Sequence, residues 1–349
     1  MDGCDLSTIL YTDFKFDFNP EAINRETLVV IIMEDSGKKT FLGLEEDKNG
    51  PHDIVLLPIP YEMTTSYREG TEFGPEACID ASLQIELFDE LLDEELPCGY
   101  KFFTSKPWNN EVNSLAEALG SIEKFSSKWV NGKQFPIFLG GEHGMLLPII
   151  RSLKKHPEIN EDLEKLTILQ IDAHADLRNE LNGERFSHGT VIRRVLDEGV
   201  GKIIQVGIRT YCLEEKEIIE TDERVNTWFA RDLIRMDSEK SNWNEMINQI
   251  KNLSGPVWLS FDIDGLDGFL VPATGTPVPG GLSFWGANEI IQELFSANNT
   301  TVIGADVNEI STSPNTNLTE FSAALITTKI IVNHISCLLY TSPSPRDRG

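Results

Sequence analysis

From His52 onward, short apolar runs of strand length alternate with amphipathic stretches of helix length. The pattern predicts strands over 53–58, 135–139, 166–171, 202–208, 225–229, 257–261 and 301–305. It predicts helices over 75–91, 112–130, 145–153, 190–196, 243–252, 285–295 and 318–332. The stretch 166–171 is apolar almost throughout, as expected of a parallel strand covered by helices on both faces. Pro75 directly after Gly74 suits a first helical position. Such β–α alternation predicts an α/β fold on one doubly covered, mostly parallel sheet rather than two domains. A closed eight-stranded barrel is the rival architecture, because periodicity does not separate the two. No internal repeat is visible.

Two segments fall outside this pattern. Residues 1–50 read as an N-terminal extension, and 337–349, ending in Ser-Pro-Ser-Pro-Arg-Asp-Arg-Gly, as a disordered or non-native tail. Residues 51–336 are left as the single domain.

Charge narrows the functional classes. Thirty basic against fifty-six acidic residues give a net charge of −26. A chain so acidic repels nucleic acid and anionic membranes, and favours small cationic substrates or metal ions. Most of the charge reads as solvated surface. Cys4, Cys78, Cys98, Cys212 and Cys337 are odd in number, scattered and without a C-x-x-C pair, so a reducing compartment is expected. The first twenty residues lack a basic stretch followed by an apolar core, and no apolar run is expected to reach the length of a membrane span. The expected location is the cytoplasm.

The candidate chemistry sits where predicted strands end. Asp172-Ala-His174-Ala-Asp176 closes the strand 166–171, and alternate residues of an extended chain point the same way. Asp262-Ile-Asp264, with Asp267 nearby, closes 257–261. Gly140-Gly-Glu-His143 follows 135–139, its glycines allowing a sharp turn that presents an imidazole. Each string alone is as readily a cap, a turn or a salt-bridge network. Five carboxylates at one sheet edge, however, repel one another unless cations neutralise them. That edge is also where open α/β sheets bind ligands. Oxygen donors with isolated imidazoles suit Mn²⁺ and similar divalent ions better than a thiolate zinc site does.

These stretches resemble the ureohydrolases, the family of arginase, agmatinase, guanidinobutyrase and formimidoylglutamase. The likeness is carried by Gly140-Gly-Glu-His-Gly144, Asp172-Ala-His-Ala-Asp176, Ser187-His-Gly189, Ser260-Phe-Asp-Ile-Asp-Gly-Leu-Asp267, Thr274-Gly-Thr-Pro-Val-Pro-Gly-Gly281 and the Glu309 region, with Glu69-Gly-Thr-Glu-Phe-Gly-Pro75 as a first loop. It implies a three-layer α/β/α sandwich on a mostly parallel eight-stranded sheet, with a binuclear manganese site that also accepts ions such as Ni²⁺. His143, Asp172, Asp176 and Asp262 would hold one ion. Asp172, His174, Asp262 and Asp264 would hold the other, and Asp267 would be structural. Gly268 and Ala273 depart from the usual residues beside the site. A homo-oligomer, trimer or hexamer, is also implied.

The expected reaction follows. Two cations roughly 3.5–4 Å apart share a water and lower its pKa, and that water attacks a guanidinium carbon. Asp176 would aim the water, Glu309 would bind the guanidinium N–H groups as a fork, and His188 would shuttle protons to the leaving amine. The segment 177–186 resembles agmatinase loops, so agmatine, yielding putrescine, is the expected substrate. Glu180 or Glu184 would attract its ammonium, whereas Arg178 and Arg185 would suit a guanidino acid. The alternatives are arginine, guanidinobutyrate, guanidine or formiminoglutamate as substrate, and a non-catalytic homologue serving as a regulatory or scaffolding subunit. His52, His156 and His334 read as ordinary structural histidines, the acidic run 89–95 as solvated helix, and Trp228 and Trp285 as core.

Overall fold

Predominantly apolar runs have become the central strands, some carrying a buried polar residue such as Gln170 or Ser260. The computed structural model describes residues 39–46, 50–109, 111–235 and 241–341, with Tyr340 and Thr341 described by backbone alone. β1 (Ile54–Ile59) is followed by α1 (Gly74–Ser82) and the hairpin β2 (Phe88–Asp89) and β3 (Glu94–Glu95). Then come β4 (Phe102–Thr104), α2 (Leu115–Ser126), β5 (Phe135–Gly140), α3 (Leu146–Ser152), β6 (Thr167–Ile171), α4 (Val191–Asp197) and β7 (Lys202–Ile208). The chain continues through α5 (Leu213–Thr221), β8 (Val225–Phe229), α6 (Ala230–Leu233), α7 (Trp243–Lys251), β9 (Ser254–Asp262), α8 (Phe284–Phe295), β10 (Asn299–Asn308) and α9 (Leu318–Thr341).

Eight strands form one sheet in the order β4-β1-β5-β10-β9-β6-β7-β8, every pairing parallel. Among the described residues β4 and β8 end the strand order and do not pair with each other, so the sheet is open and not a closed barrel. Alternate strand residues feed two cores. Leu56, Ile137, Leu169 and Leu259 pack with Cys78, Ile247, Ile291 and Ile330 of α1, α7, α8 and α9. Val55, Phe138, Ile168 and Trp258 pack with Ile122, Ile149 and Val195 of α2, α3 and α4. The three-layer α/β/α arrangement follows from that alternation.

Several expectations need correction. The helix predicted over 75–91 stops at Ser82. The acidic run 89–95 is not solvated helix but lies in the β2–β3 hairpin: the Asp89 carboxylate accepts the Leu91 N–H at 2.9 Å, a turn that competes with helix, and pairs with the Lys329 ammonium at 2.6 Å. Trp285 is not core. It is 61% exposed, on the face of α8 opposite the buried stripe of Ala287, Ile290, Ile291 and Leu294. Trp228 does pack against the core.

The compact unit begins at Thr40 rather than after residue 50. Phe41 and Leu42 are buried, and their N–H groups bond the hydroxyls of Thr104 and Ser82. Residues 1–38 and 47–49 of the expected extension lie outside the described residues. At the other end α9 continues through Thr341, so the stretch 337–341 is helix and only 342–349 of the expected tail falls outside the described residues. By length and composition Leu318–Leu339 meets the requirement for a membrane span, contrary to expectation, but two thirds of its apolar window is buried inside the protein. It packs on α1 and α8 as a core helix.

His334 on that helix stacks on Phe135 with ring centroids 3.9 Å apart, and burial holds its pKa down to about 4. The unfolded chain therefore binds a proton near pH 6.5 that the folded protein refuses until about pH 4. Stability is full above pH 6.5 and falls as the pH drops toward 4, by at most about 3 kcal/mol from this group. Denaturant titrations at pH 7 and pH 4 should show His334→Phe losing less stability on acidification than the wild type.

Candidate metal centre and active site

After β5 the chain passes over two strand positions, later filled by β10 and β9, before laying down β6. A switch of this kind opens a crevice at the carboxyl ends of the strands, where ligands bind in open α/β sheets. The ends of β5, β10, β9 and β6, four adjacent strands, carry all the polar clusters singled out in the sequence. Gly141 turns the chain after β5 against the backbone of Tyr61. A Cβ there would meet the Tyr61 carbonyl oxygen at 2.1 Å, so only glycine fits.

The side chains converge. His143 Nδ1 lies 3.0 Å from Asp176 Oδ2, 3.3 Å from Asp172 Oδ2 and 3.5 Å from Asp262 Oδ2. His174 Nδ1 lies 3.0 Å from Asp264 Oδ2 and 3.7 Å from Asp172 Oδ1. Two donor groups result, His143–Asp172–Asp176 and Asp172–His174–Asp264, the atoms of each within 4.8 Å of one another. Asp172 belongs to both. The carboxylates also pin the loops that carry them: Asp172 accepts the His174 N–H, Asp262 the Asp264 N–H, and Asp264 the Ala173 N–H. Asp267 is a loop clamp, accepting the N–H groups of Phe269, Gly280 and Gly281.

The donor set fits two divalent cations. His143 Nδ1 is buried and makes no hydrogen bond. Burial, and then the charge of Asp172, pushes the Asp176 carboxyl up to about 6. Burial, followed by Asp264 and Asp172, pushes Asp262 up as well. A carboxylate cluster that resists its own ionisation is what cations relieve.

Asp176 and Glu309 share a backbone feature. Their φ angles are 53° and 57°, the left-handed region that costs a non-glycine residue about 1–3 kcal/mol. Surrounding bonds impose it. The Asp176 carbonyl accepts the N–H groups of Ile192 and Arg193 at the start of α4. The Glu309 N–H donates to the Gly141 carbonyl at 2.7 Å, its carbonyl accepts the Thr274 hydroxyl, and its Oε1 accepts the His143 N–H at 2.8 Å. Burial pushes the Glu309 carboxyl up to about 7, against the opposing charge of His188.

Some functional groups escaped the sequence reading. Glu142 was read only as part of a turn, yet it is wholly buried. Its carboxylate accepts the N–H groups of Met63 and Thr64 and the Thr64 hydroxyl, and its Oε1 lies 3.4 Å from His188 Nδ1. Burial pulls the His188 imidazolium down, but Glu142 and Glu309 outweigh it and the pKa rises to about 9. Gln170 was also missed. It donates to Asp172 at 2.7 Å and accepts from Gln205, its register partner on β7. A glutamine inside an apolar strand was the visible signal.

One cavity of about 230 Å³ is lined by members of both donor groups, His143, Asp176, His174 and Asp264, together with His188 and Glu309. Tyr67, Arg68, Arg178, Leu181 and the buried Glu215 also line it. Glu180 and Glu184, expected to draw a substrate ammonium, do not line it; the acidic group there is Glu215, 3.8 Å from Arg178 Nε. Arg185 is exposed and also stands off the cavity.

Comparison with known proteins agrees with this geometry. The family model described as "Arginase family" matches residues 52–332. An N(1)-aminopropylagmatine ureohydrolase from Synechocystis sp. is 34% identical over 307 residues, covering 85% of this chain and 94% of the relative. An agmatinase from Pyrococcus horikoshii is 33% identical over 275 residues, covering 78% of this chain and 88% of its own length. The solved agmatine ureohydrolase of Thermoplasma volcanium shares the fold, with a TM-score of 0.71 at 24% identity over 89% of this chain and 99% of that one.

Proposed function

Because this chain belongs to the arginase family of ureohydrolases, hydrolases of guanidino compounds, we propose that it cleaves an agmatine-type amine to urea and, from agmatine itself, putrescine. The observation that carries the reading is a cavity lined by His143, Asp176, His174 and Asp264 of the two donor groups together with His188 and Glu309. His143, Asp172, Asp176 and Asp262 would hold one divalent ion, and Asp172, His174, Asp262 and Asp264 the other; we assign both as Mn²⁺. When bound, the ions lower the pKa of a water enough to make it a nucleophile near neutral pH.

The chain's own residues do the rest. Glu309 presents a carboxylate to the planar guanidinium and fixes its carbon toward the donor groups. Asp176 accepts a hydrogen bond from the attacking water and aims it. His188, held by Glu142, carries its proton at neutral pH and gives it to the departing amine nitrogen. His188→Asn should lower kcat by about 10²-fold and leave Mn²⁺ uptake unchanged, as read by urea release and metal analysis.

Specificity lies at the mouth. Tyr67 and Leu181 give apolar wall for a methylene chain, and Glu215 offsets the charge of Arg178. Arg178 is thus not a free receptor for a substrate carboxylate. Arg68 supports a second reading, a guanidino acid: its guanidinium lies over the Tyr67 ring at 5.6 Å beside the same cavity. Urea release with Mn²⁺ over agmatine, aminopropylagmatine, arginine, guanidinobutyrate and guanidine separates them. Agmatine or its N-extended form should lead. If Arg178→Ala or Arg68→Ala instead impairs only carboxylate-bearing substrates, and those lead in the wild type, the acid reading replaces ours.

A further inference from the structure

Beneath the donor groups, β9 and β10 hold a buried polar cluster, in register with Gln170 of β6. Trp258, Ser260, Asp306 and Asn308 are all wholly buried, and Ser260 and Asp306 are register partners. Asp306 Oδ1 accepts the Trp258 indole N–H at 2.6 Å. Its Oδ2 accepts the Asn308 amide N–H at 2.6 Å and the Ser260 hydroxyl at 2.9 Å. An indole nitrogen only donates, so Asp306 stands there as an acceptor. Ser260 has one proton, and it goes to Asp306.

The same Ser260 oxygen lies 3.0 Å from His143 Nε2. With its proton committed, Ser260 can only accept, so Nε2 must carry a hydrogen. The nitrogen left for a ligand bond is Nδ1, the atom that faces Asp172, Asp176 and Asp262. His174 has no such backing: its Nε2 lies 3.5 Å from the hydroxyl of Thr276, on a loop.

We propose that Asp306, acting through Ser260, is a positioning residue that keeps the His143 proton on Nε2 and reserves Nδ1 for a metal ion. The proposal rests on the two-ion reading above. Its effect is one-sided, because only the ion beside His143 depends on the chain of bonds.

The test is a calorimetric Mn²⁺ titration of metal-stripped wild type, Ser260→Ala, Ser260→Thr and Asp306→Asn. Ser260→Ala and Asp306→Asn should weaken one of the two binding events by about 10–100-fold and leave the other in place. Ser260→Thr, which keeps the hydroxyl, should restore both. Equal weakening of both events, or of neither, would overturn the proposal. Should Asp306→Asn fail to fold, Ser260→Ala carries the test. A wild type that takes up no Mn²⁺ would sink the two-ion reading, and the linkage is then read separately in metal-free, ¹⁵N-histidine-labelled protein. There the His143 Nε2–H signal should be protected from solvent exchange in the wild type and lost in Ser260→Ala. An unprotected Nε2–H in the wild type would overturn the proposal on its own.

Discussion

Asp176→Asn should lower the rate of urea release by about 10³-fold or more while the protein stays folded. Asparagine adopts the left-handed backbone as readily as aspartate, so the φ of 53° and the carbonyl bonds to Ile192 and Arg193 survive. What changes is one side-chain oxygen. An amide offers a single acceptor and points an N–H into a cluster built from carboxylates, where it neither holds a cation nor accepts from the attacking water. Burial and Asp172 already push the Asp176 carboxyl up to about 6, so neutralising it removes repulsion. The metal-free variant should therefore melt no lower than the metal-free wild type. Steady-state urea release and thermal unfolding check the two halves, and near wild-type turnover would end the role assigned to Asp176.

The second large effect belongs to His143. His143→Ala removes the nitrogen donor that faces Asp172, Asp176 and Asp262, and leaves three carboxylates as an incomplete ligand set. Metal analysis should find about one Mn²⁺ per chain in place of two, and turnover should drop by about 10³-fold or more because the shared water loses one of its ions. Losing both ions would show that the sites do not fill independently; keeping both would remove His143 from the centre.

Where strand-length runs rich in β-branched and aromatic residues recur, the sequence reading located the strand closely: the predicted spans 202–208 and 225–229 coincide with β7 and β8. β4 was not visible because its three residues, paired to β1, are too few to carry a period. α5 was missed for a different reason. Leu-Glu-Glu-Lys-Glu-Ile-Ile-Glu-Thr is mostly charged, and its start is set by Glu215 accepting the Cys212 N–H, a cap that only the folded turn displays. α1 was drawn too long because the apolar spacing after Ser82 belongs to residues that turn toward the hairpin.

The ligand-bearing strings were legible because a strand end places residues two apart on one side, a rule that needs no knowledge of other strands. The groups behind them were not. Gln170, Ser260 and Asp306 are single polar residues in apolar strands, and their partners stand on neighbouring strands brought alongside by the crossover. Glu142 escaped because its partners, Met63 and Thr64, lie on a distant loop. The strained backbones of Asp176 and Glu309 leave no mark in composition at all.

The central claim is that these aspartates and imidazoles hold a pair of cations, and a Mn²⁺ titration of metal-stripped protein, followed by calorimetry with urea release from agmatine in parallel, tests it most directly. Two ions should bind per chain, with activity absent before addition and complete only as the second site fills. Full turnover in the stripped protein, or no stoichiometric uptake of Mn²⁺, would contradict it.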